Sequence, residues 1–70
     1  MRCKLFIMRD GEQLPMPDRH VEEAVEHWGG VNDGESFDDA CDRIEDEIKR
    51  AGRAWIGDAD NLVLLMPFRA

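Results

Sequence analysis

The sequence has little of what several common classes of protein require. Of its 70 residues only two are cysteine, Cys3 and Cys41, whereas small secreted domains that depend on disulfides usually carry about four or more. No apolar run approaches the roughly 20 residues of a membrane-spanning helix. Residues 1–9 form too short and too interrupted an apolar stretch for a signal peptide. These absences predict a cytoplasmic protein with two reduced thiols.

Basic residues are outnumbered by acidic ones. There are 9 Lys and Arg against 16 Asp and Glu, which gives a formal net charge of −7 and a pI near 4.6. Binding to nucleic acid or to an anionic membrane requires clustered Lys and Arg, so we expect neither as a direct partner. With 43% hydrophobic residues the chain is too apolar for a disordered acidic tail. Its length predicts a single domain over residues 1–70.

Familiar chemical motifs are missing as well. Gly29-Gly30 lacks the Lys and the Ser or Thr that complete a phosphate-binding loop. His20 and His27 are seven residues apart, too far along one helix to share a metal ion. Cys41 falls on an apolar stripe and is expected in the core rather than as a nucleophile. The sequence therefore predicts no catalytic residue, no metal and no cofactor, and hence no enzyme.

The chain begins with a predicted hairpin. Residues 3–9 are rich in strand formers and precede Asp10-Gly11, a strong turn signal. The return strand, residues 12–16, contains Pro15, which cannot donate to a ladder. We therefore expect it to be short and to lie at a sheet edge.

Two helices are predicted next. Asp18 is expected to cap the first, whose apolar residues have helical spacing: Val21, Ala24, Val25 and Trp28. Ser36 is expected to cap the second, and Gly52 to end it. The second helix has the most regular apolar stripe in the chain, made of Phe37, Ala40, Cys41, Ile44, Ile48 and Ala51.

Two further strands, residues 53–56 and 62–66, flank a turn-forming loop. Helices and strands are thus segregated along the chain in the order β-(β)-α-α-β-β. This order predicts an α+β fold with two layers, a small antiparallel sheet of three or four strands packed with two helices. Trp28 and Trp55 are expected to anchor the core, although a Trp that is exposed would instead be a binding anchor.

The negative charge is concentrated in one segment. Residues 33–47 hold eight acids and a single base, Arg43, while the other 55 residues are neutral overall. Five of the acids form a continuous arc opposite the apolar stripe, which we call the acidic ridge: Asp38, Asp39, Asp42, Glu45 and Asp46. The functional interpretation is a surface that offers negative charge to a basic groove, as a mimic of nucleic acid would. The alternative is a solvated helix face, since Asp38 and Asp39 also complement the helix dipole.

The first and last strands have apolar residues on both faces. Two helices can cover only one face of a small sheet, so the other face would expose an apolar patch. We expect a second copy of the chain or a target protein to cover it, the alternative being one helix on each face. The residues assigned to this docking face are Phe6, Met8, Val63 and Leu65.

The acidic helix of residues 36–51, followed by the hairpin segments 53–57 and 62–67, resembles small stand-alone anti-CRISPR proteins of phages and mobile elements. The resemblance is one of size, charge and layout over about half of the chain. It implies a non-enzymatic inhibitor in the host cytoplasm, whose partner would be a basic surface on a CRISPR effector subunit.

A second resemblance is to small antitoxins that neutralise mRNA-cleaving toxins. Residues 34–40 are similar to the start of that family's helix, but a first helix over residues 18–28 does not fit its strand-rich order. The sequence thus predicts a small acidic inhibitor that occupies a basic, nucleic-acid-binding site on a larger protein. The alternative is an antitoxin-like protein or a structural or regulatory subunit that docks through its apolar sheet face.

Overall fold

A computed structural model describes residues 1–68, and its elements follow the predicted order. The helices are α1 (Val21–Trp28) and α2 (Phe37–Ala51). The strands are β1 (Arg2–Arg9), β2 (Glu12–His20), β3 (Ala54–Gly57) and β4 (Leu62–Pro67). They form one antiparallel sheet in the order β2-β1-β4-β3. The predicted α+β class, with a small antiparallel sheet and two helices, is confirmed.

The turn between β1 and β2 has the chemistry that the sequence indicated. Arg9 pairs with Glu12, which leaves a two-residue loop of Asp10 and Gly11. Both loop residues have positive φ angles, 50° and 78°. A two-residue hairpin of this kind needs positive φ at both positions, which Asp and Gly tolerate better than most residues.

Strand β2 is longer than predicted. It was expected to end at residue 16, but it continues to His20. It lies at the edge of the sheet, where a proline such as Pro15 removes no essential ladder bond. Between Met16 and Arg19 two residues of β2 lie opposite one residue of β1, an irregularity that lets the strand extend past its prolines.

The longer strand shifts the start of α1. Asp18 lies within β2, so its prediction as the helix cap was wrong. The residue before the helix is His20, whose backbone N–H donates to the Glu23 carboxylate at 3.2 Å. In α2, by contrast, the predicted cap is confirmed, because the Ser36 hydroxyl accepts a bond from the Asp39 backbone N–H at 3.1 Å.

The turn between β3 and β4 requires a glycine. Gly57 has a φ of 90°, and a Cβ added there would lie 1.9 Å from the backbone oxygen of Asn61. The Asp58 carboxylate accepts bonds from the backbone N–H groups of Asp60 and Asn61, at 3.0 and 2.9 Å. This local network holds the loop as a turn.

The core lies between the sheet and both helices. Its members come from every element except β2 and are all 5% exposed or less: Cys3, Leu5, Val21, Ala24, Val25, Cys41, Ile44, Ile48, Ala54, Ile56, Val63 and Leu65. The molecule is 19 Å across in its thinnest direction, as two layers require. Both helices therefore cover the same face of the sheet, and the opposite face carries no helix.

Candidate binding surface on the helix layer

Helix α2 turns its acidic ridge away from the sheet. Its buried side consists of Ala40, Cys41, Ile44 and Ile48. The other side carries the ridge, of which Asp38, Asp39, Asp42 and Asp46 are exposed and Glu45 is half-buried. The structure therefore keeps all five predicted acids on the outer surface of one helix.

Two of the five ridge carboxylates have a cationic partner. The N-terminal amine of Met1 donates to Glu45 at 3.1 Å, and Arg50 Nε donates to Asp46 at 3.1 Å. The second pair is one helical turn apart and mostly exposed, so it is weak. For the other three carboxylates, no positively charged nitrogen of residues 1–68 lies within 4.0 Å. These three are Asp38, Asp39 and Asp42.

The single base of the acidic segment has a structural partner outside the ridge. Arg43 binds Glu35 through two bonds, from Nε at 2.9 Å and from Nη2 at 3.0 Å. Its Nη2 also donates to the Gly30 carbonyl at 2.6 Å. The Arg43 bonds, followed by a bond from the Asn32 backbone N–H, lower the pKa of the Glu35 carboxyl. Arg43 thus holds the loop between the helices and leaves the ridge charge in place.

One acidic residue of α1 joins this surface. Glu22 lines a shallow crevice between the helices together with Asp38, Asp42, Glu45, Cys41 and Met1. Sequence reasoning missed Glu22 because only the packing of α1 against α2 brings it to the ridge. Its position next to the buried Val21 already marked it as an outward-facing residue of α1, but not as a neighbour of α2.

The two thiols are poor nucleophiles in this environment. Burial raises the pKa of the Cys41 thiol, and the nearby carboxylates, Glu22 first, raise it further. Burial also raises the pKa of the Cys3 thiol, from 9.0 to about 11. The Cys3 Sγ donates to the Arg19 carbonyl at 3.3 Å. Both side chains are buried, and both cysteines are free.

The predicted docking face is partly wrong. The register pairs Val63 with Ile7 and Leu65 with Leu5, so Val63 and Leu65 face the helices, where both are 0% exposed. Phe6 pairs instead with Leu64 on the opposite face of the sheet. Met8 lies on that face too, because side chains alternate between the two faces along β1. Strand β4 is apolar on both sides, and its sequence alone does not tell which side the helices cover.

The open face of the sheet has an exposed tryptophan. Trp55 was expected to anchor the core, but it pairs with Leu64 on the side away from the helices and is 42% exposed. Leu62, on the same side, is 37% exposed. Trp28, in contrast, packs against the core, with the His27 ring edge-on at 4.6 Å between centroids.

Within residues 1–68 no three His, Cys, Asp or Glu side chains come together as a metal site would need. Neither helix in this part of the chain is long and apolar enough to span a membrane. Comparisons with protein-family models, with curated proteins and with solved structures found no match.

Proposed function

We propose that this protein is a non-enzymatic inhibitor that uses its acidic ridge to occupy a basic, nucleic-acid-binding surface on a larger protein. The observation that carries the proposal is the exposed, unneutralised trio of Asp38, Asp39 and Asp42. The only base within the acidic segment, Arg43, is engaged by Glu35 and Gly30. The trio is thus available to a cationic partner.

The position of Asp42 argues against a purely local role. Asp38 and Asp39 lie in the first turn of α2, where they complement the helix dipole. Asp42 lies one turn further on, where that benefit has faded. Like charges four residues apart, such as Asp38 and Asp42, destabilise a helix by a few tenths of a kcal/mol. Interaction with a partner would offset that cost.

The spacing of the trio suits a partner that binds a phosphate backbone. Asp38 and Asp42 are one turn apart, a rise of about 6 Å, which is comparable to the separation of phosphates along a nucleic-acid strand. Glu22, across the crevice from them, widens the negative surface beyond a single helix. Such a surface would steer a basic partner during encounter and make the affinity dependent on salt.

The test is capture of partners from host lysate at low and at moderate salt, followed by elution with an oligonucleotide. The ridge variant carries Asp38→Lys and Asp42→Lys, and the matched control carries Glu12→Lys and Asp18→Lys on β2, with the same change in net charge. The wild type and the control are expected to capture a nucleic-acid-binding protein that the oligonucleotide displaces. Equal capture by a folded ridge variant would overturn the proposal.

A CRISPR effector subunit is the partner class to test first. The basis is the resemblance in size, charge and layout to anti-CRISPR proteins. Purified effector complexes can replace the lysate in the same experiment, with the same two double variants. An effector that binds the wild type and the β2 control but not the ridge variant would support this identity.

A second candidate function is supported by the exposed Trp55 on the open sheet face. In that case the protein is a structural or regulatory subunit that docks through the sheet, and the ridge contributes only solubility. The ridge variant separates the two candidates, because docking through the sheet should tolerate charge reversal on α2.

A further inference from the structure

The open face of the sheet is apolar across its whole width. The registers place one residue of each strand in a row, in the order Trp55, Leu64, Phe6 and Pro15. Leu64 is 4% exposed between its neighbours, whereas Trp55 is 42% exposed. Leu62, next to this row, is 37% exposed. A contiguous apolar patch of this kind marks an interaction surface.

We infer that a second copy of the chain covers this face, in a homodimer whose two sheets pack face to face with their strands antiparallel. The sheet has four strands about 4.8 Å apart, and β1 has eight residues of about 3.3 Å each. The face therefore covers roughly 500 Å² per copy, and a dimer would bury about 1,000 Å² in total, the lower limit for a specific interface. Pairing through the sheet edges is less favourable. Strand β2 carries two prolines, and β3 has only four residues.

Charge complementarity selects the antiparallel arrangement. Arg2 and Lys4 alternate with Phe6 on the open face at one end of β1, and Arg53 precedes β3 at the same end. At the other end of the sheet Asp10 and Asp60 border a common depression, which Arg9 also lines, so the charge of these three residues is −1.

A two-fold axis that crosses the strands places the basic end of one copy over the acidic end of the other. A two-fold axis along the strands would instead place the two basic ends over each other and the two acidic ends over each other. The exposed ion pairs set the orientation of the copies, and the apolar row supplies most of the affinity.

The guanidinium of Arg2 lies on the β4 side of the open face, 5.2 Å from the centre of the Phe68 ring. In the antiparallel dimer, that side faces the partner's β3–β4 loop, which contains Asp60. The helices of both copies remain on the outside, so each acidic ridge stays accessible. The inference thus does not rest on the proposed function.

The first test is the molar mass in solution, measured by light scattering after size exclusion from low to high micromolar concentration. The wild type is expected at about 16 kDa, twice the 8.0 kDa of one chain. Leu62→Glu should raise the dimer Kd at least about tenfold. The matched control, Leu14→Glu, replaces a leucine 41% exposed whose partner Ile7 faces the helices, and it should leave the Kd unchanged.

A charge exchange tests the orientation. Arg2→Glu and Asp60→Lys should each weaken the dimer about threefold or more, and the double variant should restore the wild-type Kd. A wild type that remains monomeric throughout would overturn the inference and leave the face to a different partner. A dimer unaffected by Leu62→Glu would also overturn it. Failure of the double variant to restore the Kd would overturn the antiparallel arrangement.

Discussion

The two layers of this molecule expose opposite kinds of surface. The helix layer, residues 21–51, contains 11 acids and three bases, for a net charge of −8, while the rest of the chain carries +1. The sheet layer instead exposes apolar side chains on its open face, among them Trp55 at 42% and Leu62 at 37%. Both layers share one core, so the difference arises from what each places on its outer side.

The contrast arises because the two layers differ in how many of their apolar side chains the core buries. Helix α2 is apolar along a single stripe, and the central residues of that stripe are buried: Ala40, Cys41, Ile44 and Ile48. The remaining positions of the helix are free to carry charge. Strand β4 is apolar at consecutive positions, and the core uses only Val63 and Leu65. Leu62 and Leu64 lie on the other side and give the sheet a second apolar face.

The largest expected effect separates the buried centre of the sheet from its exposed edge strand. Leu65→Ala removes a side chain that is 0% exposed and should lower the free energy of unfolding by about 2–5 kcal/mol. Leu14→Ala, on the exposed edge strand, should lower it by less than about 1 kcal/mol. Urea denaturation at one protein concentration measures both. Equal losses would show that β4 does not face the helices as described.

The helix layer depends on its cap. Ser36→Ala removes the oxygen that accepts the Asp39 N–H bond and should cost about 1 kcal/mol of unfolding free energy. Ser36→Gly, the control, should cost only about a few tenths of a kcal/mol, because glycine leaves the first N–H groups open to water. Thermal or urea unfolding distinguishes the two, and a harmless Ser36→Ala would mean that the cap bond contributes nothing.

The buried thiols predict a loss of stability in alkaline solution. The pKa of Cys3 is raised from 9.0 to about 11 in the folded state, so the unfolded chain loses this proton first. The contribution of this thiol to the free energy of unfolding is fully present below pH 9, and it is lost as the pH rises toward 11. Cys3→Ala should make the unfolding free energy less dependent on pH in this window. An unchanged alkaline slope in the folded variant would contradict the prediction.

The smallest expected effect concerns the loop that joins the helices. The bonds with Arg43 and Asn32 lower the pKa of the Glu35 carboxyl in the folded state. Glu35 therefore contributes to the free energy of unfolding at pH values above the pKa of this carboxyl in the unfolded chain. That contribution disappears as the pH falls through the folded value. Glu35→Gln should reduce the dependence of stability on acid pH slightly more than the control Glu12→Gln on β2. Indistinguishable acid titrations of the two variants would argue against the Arg43 contact in solution.

Local signals in the sequence predicted several elements correctly. The cap at Ser36 and the end of α2 at Gly52 depend only on neighbouring residues, as does the Asp10-Gly11 turn. The exposure of the acidic ridge followed from helical periodicity, since the opposite stripe is so regular. These features do not require knowledge of how distant segments meet.

The errors involve contacts between distant segments. Strand β2 extends past Pro15 because it pairs with β1 at a sheet edge, and this extension displaces the expected cap at Asp18. Val63 and Leu65 were assigned to the open face because the alternation in β4 is the same for either orientation of the strand. The register with β1 resolves this choice. The proximity of Glu22 to the ridge likewise depends on helix packing.

The acidic ridge, and not the sheet face, is proposed to provide the electrostatic contact with a basic target. The most direct measurement is the salt dependence of Kd for the purified target, compared between the wild type, Asp38→Lys with Asp42→Lys, and Leu62→Glu. For the ridge variant we predict at least about tenfold weaker binding at low salt and a flatter dependence on salt. Leu62→Glu should keep the wild-type slope. A ridge variant with the affinity and salt dependence of the wild type would contradict this role of the ridge.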